Sequence, residues 1–306
     1  MSDIRRSILW AIFGFSLILL WDQWQIHNGH APTFFGSPQS TASKPANAAV
    51  TPAVGASAVP EGAPASAPSV LTQIQTGVLD LTFDSQGGAL VGAKLLKHAE
   101  VTGLPKNAPF VPMVLLQQND QRTYVAQTGL IGGDFPTHKT PMTLVAGAQG
   151  FQDGQDRLDV SFESAPVGGL VLRKTYQLSR DGYAIEVKQE VRNVGSSPVS
   201  PKAYVQLVRD GDTTESSTPF YSTFTGPAFY SNEAKFEKVT FEDIDKNKAT
   251  FVKQSSDGYV SMVQHYFASA WWLGDNVARE NFVRKVGSLY AAGMITELGD
   301  IAPGAS

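Results

Sequence analysis

From residue 70 to the carboxyl end, the chain is a succession of short segments with strand-like alternation and without helical periodicity. The segment Val78–Phe83 (VLDLTF) places three large apolar residues on one side of a strand and Asp80 and Thr82 on the other. This period of two is typical of a half-buried strand, and the turn residues Ser85–Gly88 follow it directly. Short strands without intervening helices pack as antiparallel layers. The sequence therefore predicts an all-β fold, a large antiparallel sandwich over residues 70–306.

Other segments repeat this pattern. The clearest hairpin joins Leu170–Leu178 to Tyr183–Val191, and Gly182 between them is expected to adopt a positive φ. A short helical turn is expected near Asn232–Glu237. Further strands are predicted at Ala89–Leu96, Phe110–Leu116, Met142–Ala146, Leu158–Phe162, Ala203–Val208, Lys238–Phe241, Tyr259–Tyr266 and Leu289–Ile295.

Composition excludes several classes of site. The chain has 0 cysteines, so disulfides, thiolate metal sites, iron–sulfur clusters and a cysteine nucleophile are excluded. It has 24 Lys and Arg against 28 Asp and Glu, a net charge of -4. Because no basic stripe is present, nucleic acid is not expected as a partner.

An apolar run near the amino terminus predicts a membrane anchor. Residues 8–21 are uncharged, and extending the run over residues 4–26 gives about 34 Å of helix, enough for a hydrocarbon core of about 30 Å. We therefore predict a transmembrane signal-anchor helix within residues 1–27. Its anchoring residues are Ile8, Leu9, Trp10, Phe13, Phe15, Leu17, Ile18, Leu19, Leu20 and Trp21.

Two arginines predict the orientation of this helix. Arg5 and Arg6 lie on its short amino-terminal side, and positive charge favours retention of that side in the cytoplasm. The main domain would then lie outside the cytoplasm. A cleaved signal peptide remains an alternative, although the small residues of a cleavage site do not follow the run.

Residues 28–69 are predicted to form a disordered linker. Within residues 37–69 there are 10 Ala, 6 Pro and 6 Ser, and only Lys44 and Glu61 are charged. Such a composition supports neither a core nor an amphipathic face. We interpret the segment as a flexible spacer.

The search for chemical motifs gives weak candidates. His27 and His30 have a metal-like spacing without acidic support, and the Asp210, Asp212 and Glu215 group lacks the other ligands of a calcium loop. Chance proximity and a solvated turn are the preferred interpretations. The sequence therefore predicts no catalytic residue, no metal site and no cofactor.

An aromatic cluster and one histidine leave alternatives open. Tyr266, Phe267, Trp271 and Trp272 could stack on a sugar or bind a peptide, but aromatic residues of β proteins more often pack in the core. His265 is the one candidate for an acid or base in sugar chemistry, and it would need a carboxylate nearby.

Three stretches carry a family resemblance. They are VLDLTFDSQGGAL (78–90), FTGPAFYSNEAKFEKVTFEDI (224–244) and SSDGYVSMVQHYFASAWW (255–272). Together with the anchor and the linker, they resemble the YidC membrane protein insertases of Gram-negative bacteria, over essentially the whole chain.

This resemblance implies an inner-membrane protein with a large periplasmic domain, a β-supersandwich similar in shape to sugar mutarotases. It also implies a non-enzymatic function, assistance with the insertion, folding and assembly of integral membrane proteins, alone or with the Sec translocon. Implied partners are inner-membrane lipid, membrane protein clients, and the translocon with its SecD and SecF auxiliaries. The family's five-helix insertase core has no counterpart in this sequence. We therefore expect an amino-terminal part of a longer protein, lacking the last strand of the sandwich.

Two other function classes remain open. One is a membrane-anchored periplasmic protein that binds carbohydrate or resembles a mutarotase. The other is a purely structural periplasmic module.

Overall fold

The computed structural model of the chain describes residue 21 and residues 59–60, 69–100, 109–146, 150–212, 217–218, 221–264 and 266–306. The chain divides into two compact units, residues 1–49 and 50–306. Within the described part of the chain, no helix is both long enough and apolar enough to cross a membrane. The fold described below belongs to the second unit.

Nineteen strands and one short helix are described in this unit, and the strand pairs among the described residues are all antiparallel. The helix is α1 (Phe241–Asp245). The strands are β1 (Leu71–Gln75), β2 (Leu79–Asp84), β3 (Ala89–Ala99), β4 (Pro112–Gln118), β5 (Thr123–Ile131), β6 (Met142–Leu144), β7 (Arg157–Ser164), β8 (Leu170–Ser179), β9 (Ile185–Asn193), β10 (Lys202–Asp210), β11 (Ser217–Thr218), β12 (Tyr221–Ser222), β13 (Thr225–Ser231), β14 (Lys235–Lys238), β15 (Gln254–Ser255), β16 (Tyr259–Gln264), β17 (Phe267–Trp272), β18 (Arg279–Val286) and β19 (Leu289–Glu297).

The strands form one large sheet and smaller ones. The nine-stranded sheet has the order β1-β2-β3-β4-β5-β10-β19-β18-β15. Two four-stranded sheets have the orders β6-β7-β8-β9 and β14-β13-β16-β17, and β11 pairs with β12. This architecture confirms the predicted all-β antiparallel sandwich.

The main core lies between the nine-stranded sheet and both four-stranded sheets. It contains Phe83 and Leu207 of the large sheet, Phe162 and Leu172 of one small sheet, and Phe229 of the other. Burying large side chains of this kind stabilises the fold by about 1.5–3 kcal/mol each. We call the side of the nine-stranded sheet that contributes to this core its inner face.

The opposite side of the nine-stranded sheet, its outer face, carries a second apolar cluster. Apart from Val59, the buried members of this cluster all come from the nine-stranded sheet. They are Ala89, Val91, Val125, Ile131, Tyr204, Val208, Phe282, Val286, Ala291 and Ile295.

Alternation predicted several strands correctly. In β2 the side chains of Leu79, Leu81 and Phe83 are buried, as the pattern requires. The turn after β2 contains Gly87 and Gly88 at φ values of 69° and 54°, which glycine adopts without a steric penalty. The β8–β9 hairpin is also present.

Local predictions near two turns were wrong. Gly182 does not adopt a positive φ, because a longer connection joins β8 to β9 than the tight turn we expected. The predicted helical turn at 232–237 is instead the connection at 232–234 and the first three residues of β14.

The strand predicted at 238–241 was also wrong, because α1 begins at Phe241. The Thr240 hydroxyl accepts a hydrogen bond from the Asp243 amide at 3.0 Å. This N-cap satisfies an amide that the first turn leaves without a backbone partner, and it favours the helix over an extended chain.

Candidate functional site

Strand alternation places a mixed set of side chains on the outer face of β5, β10, β19 and β18. In β10, Leu207 belongs to the inner core and Val208 to the outer cluster. Because successive side chains of a strand point to opposite faces, Gln206 lies on the same face as Val208. The outer face therefore carries polar residues between its apolar ones.

The backbone of β19 and the ring of Phe282 lie close together on this face. Gly293 of β19 pairs in register with both Gln206 and Phe282. A Cβ atom at Gly293 would lie 2.6 Å from the Phe282 ring and 2.9 Å from the Gln206 Cβ. Only glycine leaves room there for the ring and the amide side chain.

A hydrogen-bonded row of polar side chains crosses the face. The Gln206 side-chain amide donates to the Gln127 Oε1 at 2.8 Å, and both residues are buried. The Arg284 Nη2 lies 3.5 Å from the Gln206 Oε1, and the guanidinium carbon lies 5.8 Å from the centre of the Phe282 ring. The row therefore joins β5 and β10 to β18 and ends at a cation.

That cation binds a segment from far away in the sequence. Arg284 donates from Nη1 to the Val59 carbonyl at 2.6 Å and from Nη2 to the Pro60 carbonyl at 3.1 Å. The Val59 side chain is 1% exposed and belongs to the outer cluster. Two residues of the predicted linker thus contact the sheet.

Approximate free energies indicate which interaction keeps Val59 and Pro60 bound to the sheet. Burying the valine contributes about 1.5–3 kcal/mol. Fixing the backbone of two residues costs about 2–4 kcal/mol, which is of the same order. The charge-assisted hydrogen bonds from Arg284, each worth about 1.5–3 kcal/mol, therefore decide whether the segment stays bound.

Tyr204 and His138 form a second buried polar group on this side. The His138 amide donates to the Tyr204 hydroxyl at 3.0 Å, and the His138 Nδ1 lies 2.6 Å from the same oxygen. Burial raises the pKa of Tyr204, and the His138 hydrogen bond and the Arg284 charge lower it less. The phenol therefore stays protonated.

A small cleft opens beside the polar row. Its volume is about 40 Å³, well below the 300–1,000 Å³ or so of small-molecule sites. None of its lining residues carries a carboxylate, so an acid–base pair for sugar chemistry is not assembled in this cleft. The lining consists of Pro60, Gln118, Thr123, Val125, Gln127, His138, Gln206, Val208, Arg284, Val286 and Leu289.

The residues proposed from sequence are distributed differently. Arg5, Arg6 and the anchoring residues 8–20 lie outside the described residues, as do His27, His30, Glu215 and His265. Asp210 forms an ion pair with Arg122 at 3.5 Å and accepts the Thr123 amide at 2.9 Å. No group of potential metal ligands occurs within the described ranges.

The aromatic cluster is split by β17. Phe267 and Trp271 pack against the main core, as expected. Tyr266 and Trp272 are 80% and 64% exposed, so the expectation that all four are core residues was wrong. In β17 alternate side chains, including that of Trp272, point into solvent, and Tyr266 lies just before this strand.

Comparison with known protein families assigns the fold described above. Residues 71–306 match the model of the YidC periplasmic domain. The chain belongs to the YidC periplasmic domain family. The resemblance inferred from the three sequence stretches is thereby confirmed.

Curated relatives of this YidC periplasmic domain are longer proteins. The membrane protein insertase YidC of Bordetella parapertussis is 45% identical over 327 residues, which cover 99% of this chain and 56% of the relative. The corresponding protein of Cupriavidus metallidurans is 41% identical over 318 residues, with the same two coverages. The chain thus spans little more than half the length of these relatives.

Solved structures give weaker similarity. A galactose mutarotase related enzyme from Lactobacillus acidophilus has a TM-score of 0.44 at 10% identity, covering 75% of this chain and 86% of that one. A putative aldose 1-epimerase from Escherichia coli K12 has a TM-score of 0.39 at 11% identity, covering 77% and 95%.

Sequence reasoning missed the polar row of this YidC periplasmic domain. Gln127 and Gln206 are 79 positions apart, and Gln206 and Arg284 are 78 positions apart, so no local motif unites them. The available signal was a pair of polar residues, Gln127 and Thr128, at the centre of the mostly apolar segment TYVAQTGLI.

Proposed function

We propose that this chain is the anchor and periplasmic part of a membrane protein insertase. It assists the insertion, folding and assembly of integral membrane proteins into the bacterial inner membrane, alone or with the Sec translocon. The observation that carries this proposal is the 45% identity over 99% of the chain to a protein named membrane protein insertase YidC.

The proposed division of the chain follows its composition. Residues 1–27 anchor it in the inner membrane with Arg5 and Arg6 in the cytoplasm, residues 28–69 form the linker, and residues 70–306 form the periplasmic domain. Charge asymmetry around the apolar run supports this orientation.

The proposed role of the periplasmic domain is that of a scaffold without bond chemistry. A sheet face with amide and guanidinium groups can bind backbone carbonyls, as Arg284 does with Val59 and Pro60. Proposed partners are membrane lipid, membrane protein clients, and the Sec translocon with SecD and SecF. Support for the translocon partners is the family resemblance alone.

A chimeric insertase tests this function. Residues 1–306 would be joined to the remaining carboxyl-terminal part of the Bordetella parapertussis relative and expressed in cells depleted of their own insertase. We expect the chimera to restore insertion, measured as protease protection of a labelled membrane protein client.

Two controls make the test specific. The complete relative sets the full level of insertion, and the relative's carboxyl-terminal part alone shows what this chain adds. A chimera that accumulates in the membrane like the relative but inserts no more client than the carboxyl-terminal part alone would refute the proposal.

A further inference from the structure

Two residues of the predicted linker contact the folded domain. Val59 and Pro60 lie against the outer face, where Val59 is buried within the apolar cluster. They are separated from Arg284, which binds both of their carbonyls, by more than 220 positions. The contact therefore fastens the linker to the sheet at Val59 and Pro60.

The chemistry of this contact is selective. A guanidinium presents a planar fork of donors, which can hold two successive backbone carbonyls at once. A residue that precedes proline is restricted to extended conformations, so Val59 loses less freedom on binding than an ordinary residue would. The Val–Pro dipeptide occurs once in the linker, at 59–60.

The surroundings hold the cation in place. Gln127 binds Gln206, and the Gln206 Oε1 lies within 3.5 Å of the Arg284 guanidinium. Pro60 itself lines the cleft beside this row. The bound segment thus forms part of the cleft wall.

We propose that the outer face is a binding site for one extended segment, and that its occupant is the chain's own linker at Val59–Pro60, held by Arg284. The required ligand chemistry is a small apolar side chain followed by proline, with two backbone carbonyls within reach of the guanidinium. The linker is therefore anchored on the outer face before it enters β1. This inference concerns contacts within the chain and is independent of the insertase function.

Thiol labelling of the full chain tests the proposal. Because the chain has 0 cysteines, Val59→Cys and Val54→Cys each introduce a single thiol into the same linker. The full chain would be purified in detergent and labelled with a maleimide polymer. We expect Val59→Cys to react at least about tenfold more slowly than Val54→Cys, because its labelling requires local opening.

Substitution of the cation tests the mechanism. Arg284→Ala combined with Val59→Cys is expected to raise the labelling rate to that of Val54→Cys. Arg284→Lys should raise it partly, since an ammonium lacks the planar fork. Lys285→Ala, at the neighbouring cation that pairs with Asp245, should leave the protection unchanged.

Each labelling result either supports or overturns the proposal. Equal labelling of Val59→Cys and Val54→Cys in the chain with Arg284 intact would overturn the proposal. Persistent protection in a folded Arg284→Ala chain, with folding checked by near-UV circular dichroism, would overturn the role of the cation. If Arg284→Ala does not fold, the comparison of the two single thiols and the Arg284→Lys result decide.

Discussion

The two faces of the nine-stranded sheet each use a cation to hold two backbone carbonyls. Beside the inner face, Lys174 donates to the Gly87 and Thr128 carbonyls at 2.6 and 2.7 Å. On the outer face, Arg284 donates to the Val59 and Pro60 carbonyls. The inner cation is completely buried, whereas the outer one is partly exposed.

The difference lies in what each cation holds together. Lys174 joins β8 of a four-stranded sheet to β5 and the β2–β3 turn, all of which belong to the sandwich. Arg284 joins the sheet to two linker residues. Loss of the inner contact should therefore weaken the whole fold, while loss of the outer contact should release a segment and leave the sandwich intact.

The largest expected effect is that of removing the inner cation. Lys174→Ala leaves two buried carbonyls without a donor and creates a cavity, so we expect the free energy of unfolding to fall by about 3–5 kcal/mol. Arg284→Ala should lower it by about 1–2 kcal/mol, the range that matches a roughly tenfold protection of Val59, and by no more because water can reach the freed groups. Urea denaturation at pH 8.5 measures both. Equal losses would contradict the distinction between the faces.

A smaller effect is expected within the outer polar row. Gln127→Leu leaves the buried Gln206 amide without its 2.8 Å acceptor, which should cost about 1–3 kcal/mol. Gln206→Leu should cost a similar amount. The double variant should cost less than the sum, because no unpaired amide is left at that position. Additive losses in urea denaturation would show that the two side chains do not act together.

The smallest expected effect, counted per pH unit, is the dependence of stability on pH. Burial lowers the pKa of Lys174 from 10.5 to about 7. Between these two values the unfolded chain binds more protons at this group than the folded chain does, so its contribution makes stability rise with pH. The slope is at most about 1.4 kcal/mol per pH unit.

The Lys174→Met variant isolates this contribution. Unfolding would be followed in both chains from about pH 7 to 9, below the range in which unfolded tyrosine ionises while buried Tyr124, with a pKa raised to about 12, stays protonated. The difference in stability between the original chain and the variant should change in favour of lysine as pH rises. A difference that is constant with pH would contradict a lowered pKa.

Whether one or both faces of a strand are covered explains which strands the sequence predicts. In β7 and β9 one face is solvated, so apolar and polar residues alternate visibly. In β5 both faces are covered, and eight of nine residues are buried. Gln127 and Thr128 then break the apolar run, and neither alternation nor a continuous apolar segment indicates a strand. Strand β5 was missed for this reason.

The outer site was not predictable for a related reason. It is built from side chains of β5, β10 and β18, and their proximity can be inferred only when the strand order is known. It also depends on a linker contact that leaves no periodic signal in the sequence. By contrast, the β2–β3 turn was predictable, because Gly87 and Gly88 report a local conformation.

The most direct test of the account concerns where the folded domain lies. The full chain would be expressed in a Gram-negative cell with a carboxyl-terminal tag, and protease would be added to intact spheroplasts. We expect the tagged domain to be digested, while a cytoplasmic control protein stays intact. Resistance of the domain to protease, with digestion only after lysis, would contradict a periplasmic location and with it the proposed function.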